Sequence, residues 1–200
     1  YELFINVDGL IISYYVQNKN RNNLYNILAT LASIYLFTNI RKLKKDNFLN
    51  FKIPSGRGDI SKVKFKNKSF FLVDETYNSN PLSLKTAIEN FDNIETKNSK
   101  KYLLLGDMLE LGEQAEAHHV KVIESVLKSD VDHVCVMGDL FLSQRINNKR
   151  LHYFSDWEGC EQFFFQQVQL GDAVLLKASR GKRFEQHVMT ISNRLITHFQ

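Results

Sequence analysis

The run Asp74-Glu75-Thr76-Tyr77-Asn78-Ser79-Asn80-Pro81 gathers two carboxylates, a phenol and two side-chain amides into eight residues. An apolar run of β type, 69–73, precedes it, and a helical pattern, 82–91, follows. In open α/β sheets ligands bind at this carboxyl edge of the strands, where a carboxylate can accept both hydroxyls of a ribose. Side chains alternate along a strand, so Asp74 and Glu75 point to opposite sides and one of them faces the crevice. Asn78, on the loop, can hydrogen-bond a nucleotide, and Tyr77 can stack or pack. Asn80 before Pro81 reads as a helix N-cap with proline at the first helical position.

Two further blocks repeat the arrangement. Lys101-Tyr102-Leu103-Leu104-Leu105 leads into Gly106-Asp107-Met108-Leu109-Glu110-Leu111-Gly112-Glu113. Gly106 permits a tight turn. Asp107 can hold a bound water, orient a neighbouring cation, or cap the turn. His119 shares a helical face with Ile123 and Val126 and reads as a packed, hydrogen-bonded histidine, with His118 facing solvent. The apolar run 173–176 leads into Lys177-Ala178-Ser179-Arg180-Gly181. This run is expected to open the last helix, and a helix N-terminus carrying Ser179 and Arg180 is an anion site; Ser179 as a plain cap is the alternative. Arg57 sits between Gly56 and Gly58, where a guanidinium suits a phosphate or ribose, or simply faces solvent.

The elements that must position these residues follow from periodicity and punctuation. A strand is expected at 10–16. Asn22 or Asn23 would cap a helix with Leu24, Ile27, Leu28, Leu31, Ile34 and Tyr35 at helical spacing, and a short helix is expected at 41–48. This unit has too few strands to bury a core by itself. Pro54, Gly56 and Gly58 mark a linker, so the expected domains are 1–50 and 51–200. A hairpin is expected from 62–65 and 70–73, with Lys62, Lys64 and Lys66 on one solvated face. Helices are then expected at 82–95, 114–129, 139–146, 156–168 and 182–198, and strands at 101–105, 133–137, 151–153 and 172–176. Such alternation predicts an α/β fold with a mostly parallel, Rossmann-like sheet and helices on both faces.

Composition excludes several classes. The net charge of +4 is small and no nucleic-acid motif occurs, so no nucleic-acid partner is expected. No apolar run approaches the roughly 20 residues of a membrane helix. Cys135 and Cys160 lie far apart, which suggests neither a zinc site nor a disulfide framework and fits a reducing cytoplasm. No G-x-x-x-x-G-K-S/T run is present, so a triphosphate cradle and magnesium ligands are expected upstream, and no metal ligands are expected here. The chain opens at Tyr1 inside a β pattern and is expected to be part of a longer protein.

The DETYNSNP block, the GDMLELG block with His119 after it, and the KASRG run resemble the Mur ligases in order and spacing. Asn23-x-x-Asn26, opening an alanine-containing helix, is similar to the last helix of that family's ATPase domain. The resemblance covers nearly the whole chain. It implies the C-terminal part of an ATP-dependent amide ligase of cell-wall precursor synthesis, in the branch that joins D-alanyl-D-alanine to a UDP-muramoyl-tripeptide through an acyl phosphate. The cofactors implied are ATP and Mg2+, and the partners are small molecules, with the protein a monomer. It implies ATP-binding roles for Arg57, Asp74, Glu75, Asn78 and Asn26, with Glu75 at the ribose-binding position. It implies substrate-binding roles for Lys177, Ser179, Arg180 and Asp107, with the dipeptide carboxylate held near Arg180, and no catalytic residue. Other amide ligases of the superfamily, such as the folylpolyglutamate type, and a non-catalytic nucleotide-binding module are the alternatives. The YNSNP and GDMLELG blocks argue against the folate type.

Overall fold

The computed structural model describes residues 1–17, 21–51, 54–96 and 98–193. It divides into two compact units, Tyr1–Pro54 and Ser55–Gln200. No described helix is long and apolar enough to cross a membrane.

In the first unit, β1 (Glu2–Val7) and β2 (Leu10–Tyr15) form an antiparallel hairpin. Its turn is Asp8-Gly9, with φ of 50° and 81°. Asp-Gly tolerates positive φ at both central positions of a tight hairpin, so the sequence carried the signal that joins the β pattern at the start of the chain to the strand expected at 10–16. The helix α1 (Arg21–Phe37) starts before both candidate caps: Asn23 is buried inside its first turn, and the residue preceding the helix lies outside the described residues. Tyr14, Val16, Ile27, Leu31 and Phe48 form a small core. The unit therefore buries a core of its own from one hairpin and one helix. The helix expected at 41–48 is replaced by a single 3₁₀ turn, Ile40–Lys42, capped by Asn39. Leu43 turns extended, and the Lys45 carbonyl accepts a hydrogen bond from Tyr15 N–H at 2.7 Å. Pairing to the hairpin edge outcompetes another helical turn.

The second unit holds a six-stranded sheet in the order β3-β4-β8-β5-β6-β7. β3 (Asp59–Phe65) is antiparallel to β4 (Lys68–Asp74). β5 (Lys101–Gly106), β6 (His133–Met137), β7 (Leu151–Phe154) and β8 (Ala173–Lys177) all run parallel to β4. Every residue of β5 and β8 is buried, as expected of parallel strands covered on both faces. Leu103, Leu105 and Leu175 join the core beneath α2 (Pro81–Asp92) and α3 (Ala115–Val126). Tyr102, Leu104, Val174 and Leu176 join the opposite core, beneath α5 (Trp157–Gln167) and α6 (Phe184–Asn193). Neighbouring strands β4 and β8 thus send their following helices to opposite faces, which opens a crevice at their carboxyl ends.

The expected elements are found with altered ends. Between β6 and β7 the chain forms only one helical turn, α4 (Asp139–Leu142), because Ile146 N–H is taken by the Tyr153 hydroxyl at 2.8 Å. The last helix begins at Phe184, after Arg183 adopts a left-handed φ of 52°; the residues expected in it beyond 193 lie outside the described residues. Lys62, Lys64 and Lys66 are exposed. Cys135 and Cys160, distant in sequence, meet as free, buried thiols between β6 and α5. Their mutual hydrogen bond, followed by burial, pushes the Cys160 thiol far up.

Candidate functional site

Three loops meet at the crevice: those after β4, β5 and β8. Hydrogen bonds between residues 70 to 102 positions apart hold them together. The Lys177 ammonium, 2% exposed at the end of β8, donates to the Asn78 carbonyl at 2.7 Å and the Glu75 carbonyl at 3.4 Å. It also lies 3.6 Å from Glu75 Oε2. Ser179 Oγ donates to the Ser79 carbonyl at 3.1 Å and accepts from Leu109 N–H at 2.8 Å. One lysine and one serine thereby tie the three loops.

Asp107 is the third brace. Its carboxylate is 2% exposed, lies 3.1 Å from the Lys182 ammonium, and accepts from Phe141 N–H at 3.3 Å. Gly138 lets the two loops approach this closely: a Cβ there would lie 2.2 Å from the carboxylate, and its φ of +114° disfavours any side chain. His119 stands 3.8 Å from Asp107, yet the two are not an ion pair. His119 Nδ1 contacts the Ala115 carbonyl at 2.7 Å, and Nε2 faces Met108 N–H at 3.0 Å. A carbonyl can only accept and an N–H can only donate, so the proton sits on Nδ1, Nε2 is an acceptor, and the ring is neutral. His119 is the packed histidine expected, while His118 is half-buried rather than solvated.

The β4 loop separates Asp74 from Glu75. Asp74 is buried, and its Oδ1 accepts from Thr76 N–H at 3.0 Å and Thr76 Oγ1 at 2.6 Å. Glu75 reaches the crevice with 13% of its side chain exposed. Burial pushes its carboxyl above the usual carboxylate range, and Lys177 offsets this only in part. Burial likewise pushes the Lys177 ammonium below the usual lysine range, with Glu75 acting in the opposite sense. Asn78 is exposed, and its Oδ1 is taken by Ser79 N–H at 2.9 Å, leaving the NH2 group for a ligand. Asn80 forms a capping box with Ser83 at the start of α2, and Pro81 opens the helix, the structural role expected of both.

Arg57 joins the site through its backbone. Tyr77 N–H donates to the Gly56 carbonyl at 3.0 Å. A Cβ on Gly56 would lie 2.8 Å from Tyr77 N, and its φ of +78° adds a second reason for glycine. This clasp sets the Arg57 guanidinium 3.9 Å from the centre of the Tyr77 ring. Arg180 approaches the same ring at 5.2 Å. Both arginines are exposed.

Some sequence expectations change. Lys177, Ser179 and Asp107, read as substrate-binding residues, spend their polar atoms on bracing loops. Asp74, read as a nucleotide ligand, closes its own turn. Arg180 opens a three-residue 3₁₀ turn rather than a long helix, so helix-terminus anion binding does not apply there. Asn26 is exposed on α1 in the first unit, where its carbonyl accepts from Thr30 Oγ1. Glu75, Asn78, Arg57 and Arg180 remain available at the crevice. Lys182 and the double contact of Tyr77 carried no sequence signal, because their partners lie on other loops.

Comparison with known proteins agrees with this fold. Residues 62–180 match the family described as the Mur ligase glutamate ligase domain. The chain is 25% identical over 188 residues to the UDP-N-acetylmuramoyl-tripeptide–D-alanyl-D-alanine ligase of Bacillus subtilis, covering 91% of this chain and 40% of that protein. It is 26% identical over 180 residues to the enzyme of the same name from Borreliella burgdorferi, covering 86% and 37%. The chain thus spans about two fifths of the length of the curated relatives it matches. The crystal structure of the MurF ligase from Thermotoga maritima in complex with ADP superposes with a TM-score of 0.79 at 24% identity, covering 96% of this chain and 43% of that one.

Proposed function

The chain belongs to the Mur ligase family through the glutamate ligase domain at residues 62–180, and from that premise we propose that it is the C-terminal part of an ATP-dependent amide ligase that adds D-alanyl-D-alanine to a UDP-muramoyl-tripeptide. The relatives named for this reaction support the choice of substrates. The observation that carries the site is that Arg57, Asn78 and Arg180 are exposed and Glu75 is part-exposed on the β4 and β8 loops and their flank, while Lys177, Asp107 and Asp74 are braces. A half-buried carboxylate and an amide NH2 fit a ribose and a base, and a guanidinium beside them fits a phosphate.

A free carboxylate is a poor acyl donor, and ATP supplies the phosphoryl group that activates it. The residues of this chain bind, orient and shield. Glu75 accepts from the ribose hydroxyls and Asn78 donates to the nucleotide. Arg57 faces phosphate, and Arg180 fixes the dipeptide carboxylate so that the free amine is aimed at the activated carbonyl. Closure of this domain over the reacting groups excludes water, which would otherwise hydrolyse the acyl phosphate. Magnesium ligands and the triphosphate cradle belong to sequence outside this chain, which lacks a phosphate-binding loop. The test is phosphate release by the full-length ligase with ATP, UDP-muramoyl-tripeptide and a panel of amines. Turnover is expected with D-alanyl-D-alanine. Turnover with glutamate and a folate acceptor in its place would overturn the assignment.

A further inference from the structure

Arg57 and Arg180 were expected to serve different substrates, yet both guanidiniums lie against one phenol ring. With ring-centre distances of 3.9 and 5.2 Å, they stand no more than about 9 Å apart. Neither has a carboxylate within ion-pair distance among the described residues. Two like charges repel at this range, and the negative face of an aromatic ring lowers that repulsion without neutralising either charge. An exposed arginine also carries large rotamer freedom that a ligand must freeze, and resting on a ring reduces that loss. The backbone that carries the ring is held: Tyr77 N–H donates to the Gly56 carbonyl on one side, and the bonds from Lys177 to Asn78 and from Ser179 to Ser79 hold the loop just beyond it. Among the described residues the Tyr77 hydroxyl makes no hydrogen bond, so the ring face is the part in use.

We propose that Tyr77 is a positioning residue that presents the Arg57 and Arg180 guanidiniums together, so that the anionic groups of the nucleotide and of the dipeptide are taken up as a coupled pair. This rests on the ligase reading above. An anion on either guanidinium relieves its repulsion with the other and fixes the shared ring, so each substrate prepares the site for the next. Binding energy then appears as mutual lowering of the two KM values rather than as two independent affinities.

The experiment is two-substrate kinetics of the full-length ligase, with ATP and D-alanyl-D-alanine each varied at low and saturating levels of the other. Wild type, Tyr77→Ala, Tyr77→Phe, Arg57→Ala and Arg180→Ala are compared. Wild type and Tyr77→Phe are expected to show a dipeptide KM that falls as ATP rises. Tyr77→Ala is expected to raise both KM values about three- to tenfold, the range of a lost cation–π contact, and to abolish their mutual dependence. Its melting temperature should stay unchanged, because the Tyr77 side chain is 42% exposed. A Tyr77→Ala effect confined to one substrate, or a Tyr77→Phe defect as large as that of Tyr77→Ala, overturns the platform while leaving the ligase site intact. If Arg57→Ala and Arg180→Ala both leave the two KM values at wild-type levels, the site assignment itself falls, and the platform with it.

Discussion

Replacing Lys177 with methionine removes the central brace of the crevice. The side chain has similar length and apolar bulk, so the change deletes the ammonium without opening a large cavity. It leaves the Asn78 carbonyl without its 2.7 Å donor and the Glu75 carboxylate without its partner at 3.6 Å. Breaking a buried pair by removing one partner costs about 3–5 kcal/mol. For a unit of this size each kcal/mol moves the melting temperature by about 2–4 °C, so a fall of roughly 6–20 °C is expected. The sole tryptophan, Trp157, stacks on His187 at 4.0 Å within this unit and reports its unfolding by fluorescence in urea. The pH dependence carries a sign. Burial raises the folded pKa of Glu75, so its contribution is full below the unfolded value and is lost as pH rises through the folded one. The folded pKa of Lys177 is lowered, so its contribution is full above the unfolded value and is lost as pH falls through the folded one. Without Lys177 the carboxyl of Glu75 rises further. The deficit of Lys177→Met relative to wild type should therefore shrink as pH falls through the raised titration of Glu75, above the ordinary glutamate range, where the stranded carboxylate takes up a proton. The double variant Glu75→Gln, Lys177→Met should recover most of the loss. A Lys177→Met loss below about 1 kcal/mol at pH 7, or no recovery in the double variant, refutes the brace.

Two further outcomes follow from the division between braces and ligands. Asn80→Ala should cost about 1 kcal/mol as a lost capping box, read by urea titration, and leave the KM for ATP unchanged in the full-length enzyme. Arg57→Ala and Glu75→Ala should each lower kcat/KM for ATP about ten- to hundredfold, the scale of one charge-assisted hydrogen bond; Arg57→Ala should leave the melting temperature nearly unchanged, whereas Glu75→Ala, which strips the buried Lys177 ammonium of its carboxylate, should lower it as well.

The sheet was legible because its central strands are contiguous apolar runs that must be covered on both sides, as in Leu103-Leu104-Leu105. The Asn80-Pro81 helix start was legible because capping is decided within four residues. The roles at the crevice were not. Lys177 and Ser179 look like ligands in sequence, since a lysine and a serine after a buried strand suit an anion. Their partners at Asn78 and Ser79 lie 99 and 100 residues away, and spacing cannot reveal such bonds. The helix expected at 41–48 failed for a related reason: the segment pairs through Lys45 with the hairpin edge at Tyr15, a tertiary bond that overrides local propensity.

The most direct test of the account compares D-alanyl-D-alanine with its C-terminal amide as substrates of the full-length ligase, in wild type, Arg180→Ala and Arg180→Lys. A guanidinium offers two parallel donors to a carboxylate, and an ammonium keeps the charge but loses the fork. Wild type should strongly prefer the free acid. Arg180→Ala should lose that preference through a raised dipeptide KM, with the KM for ATP changing far less, and Arg180→Lys should restore it in part. Full discrimination between acid and amide in Arg180→Ala would contradict the account, because the carboxylate would then be held elsewhere.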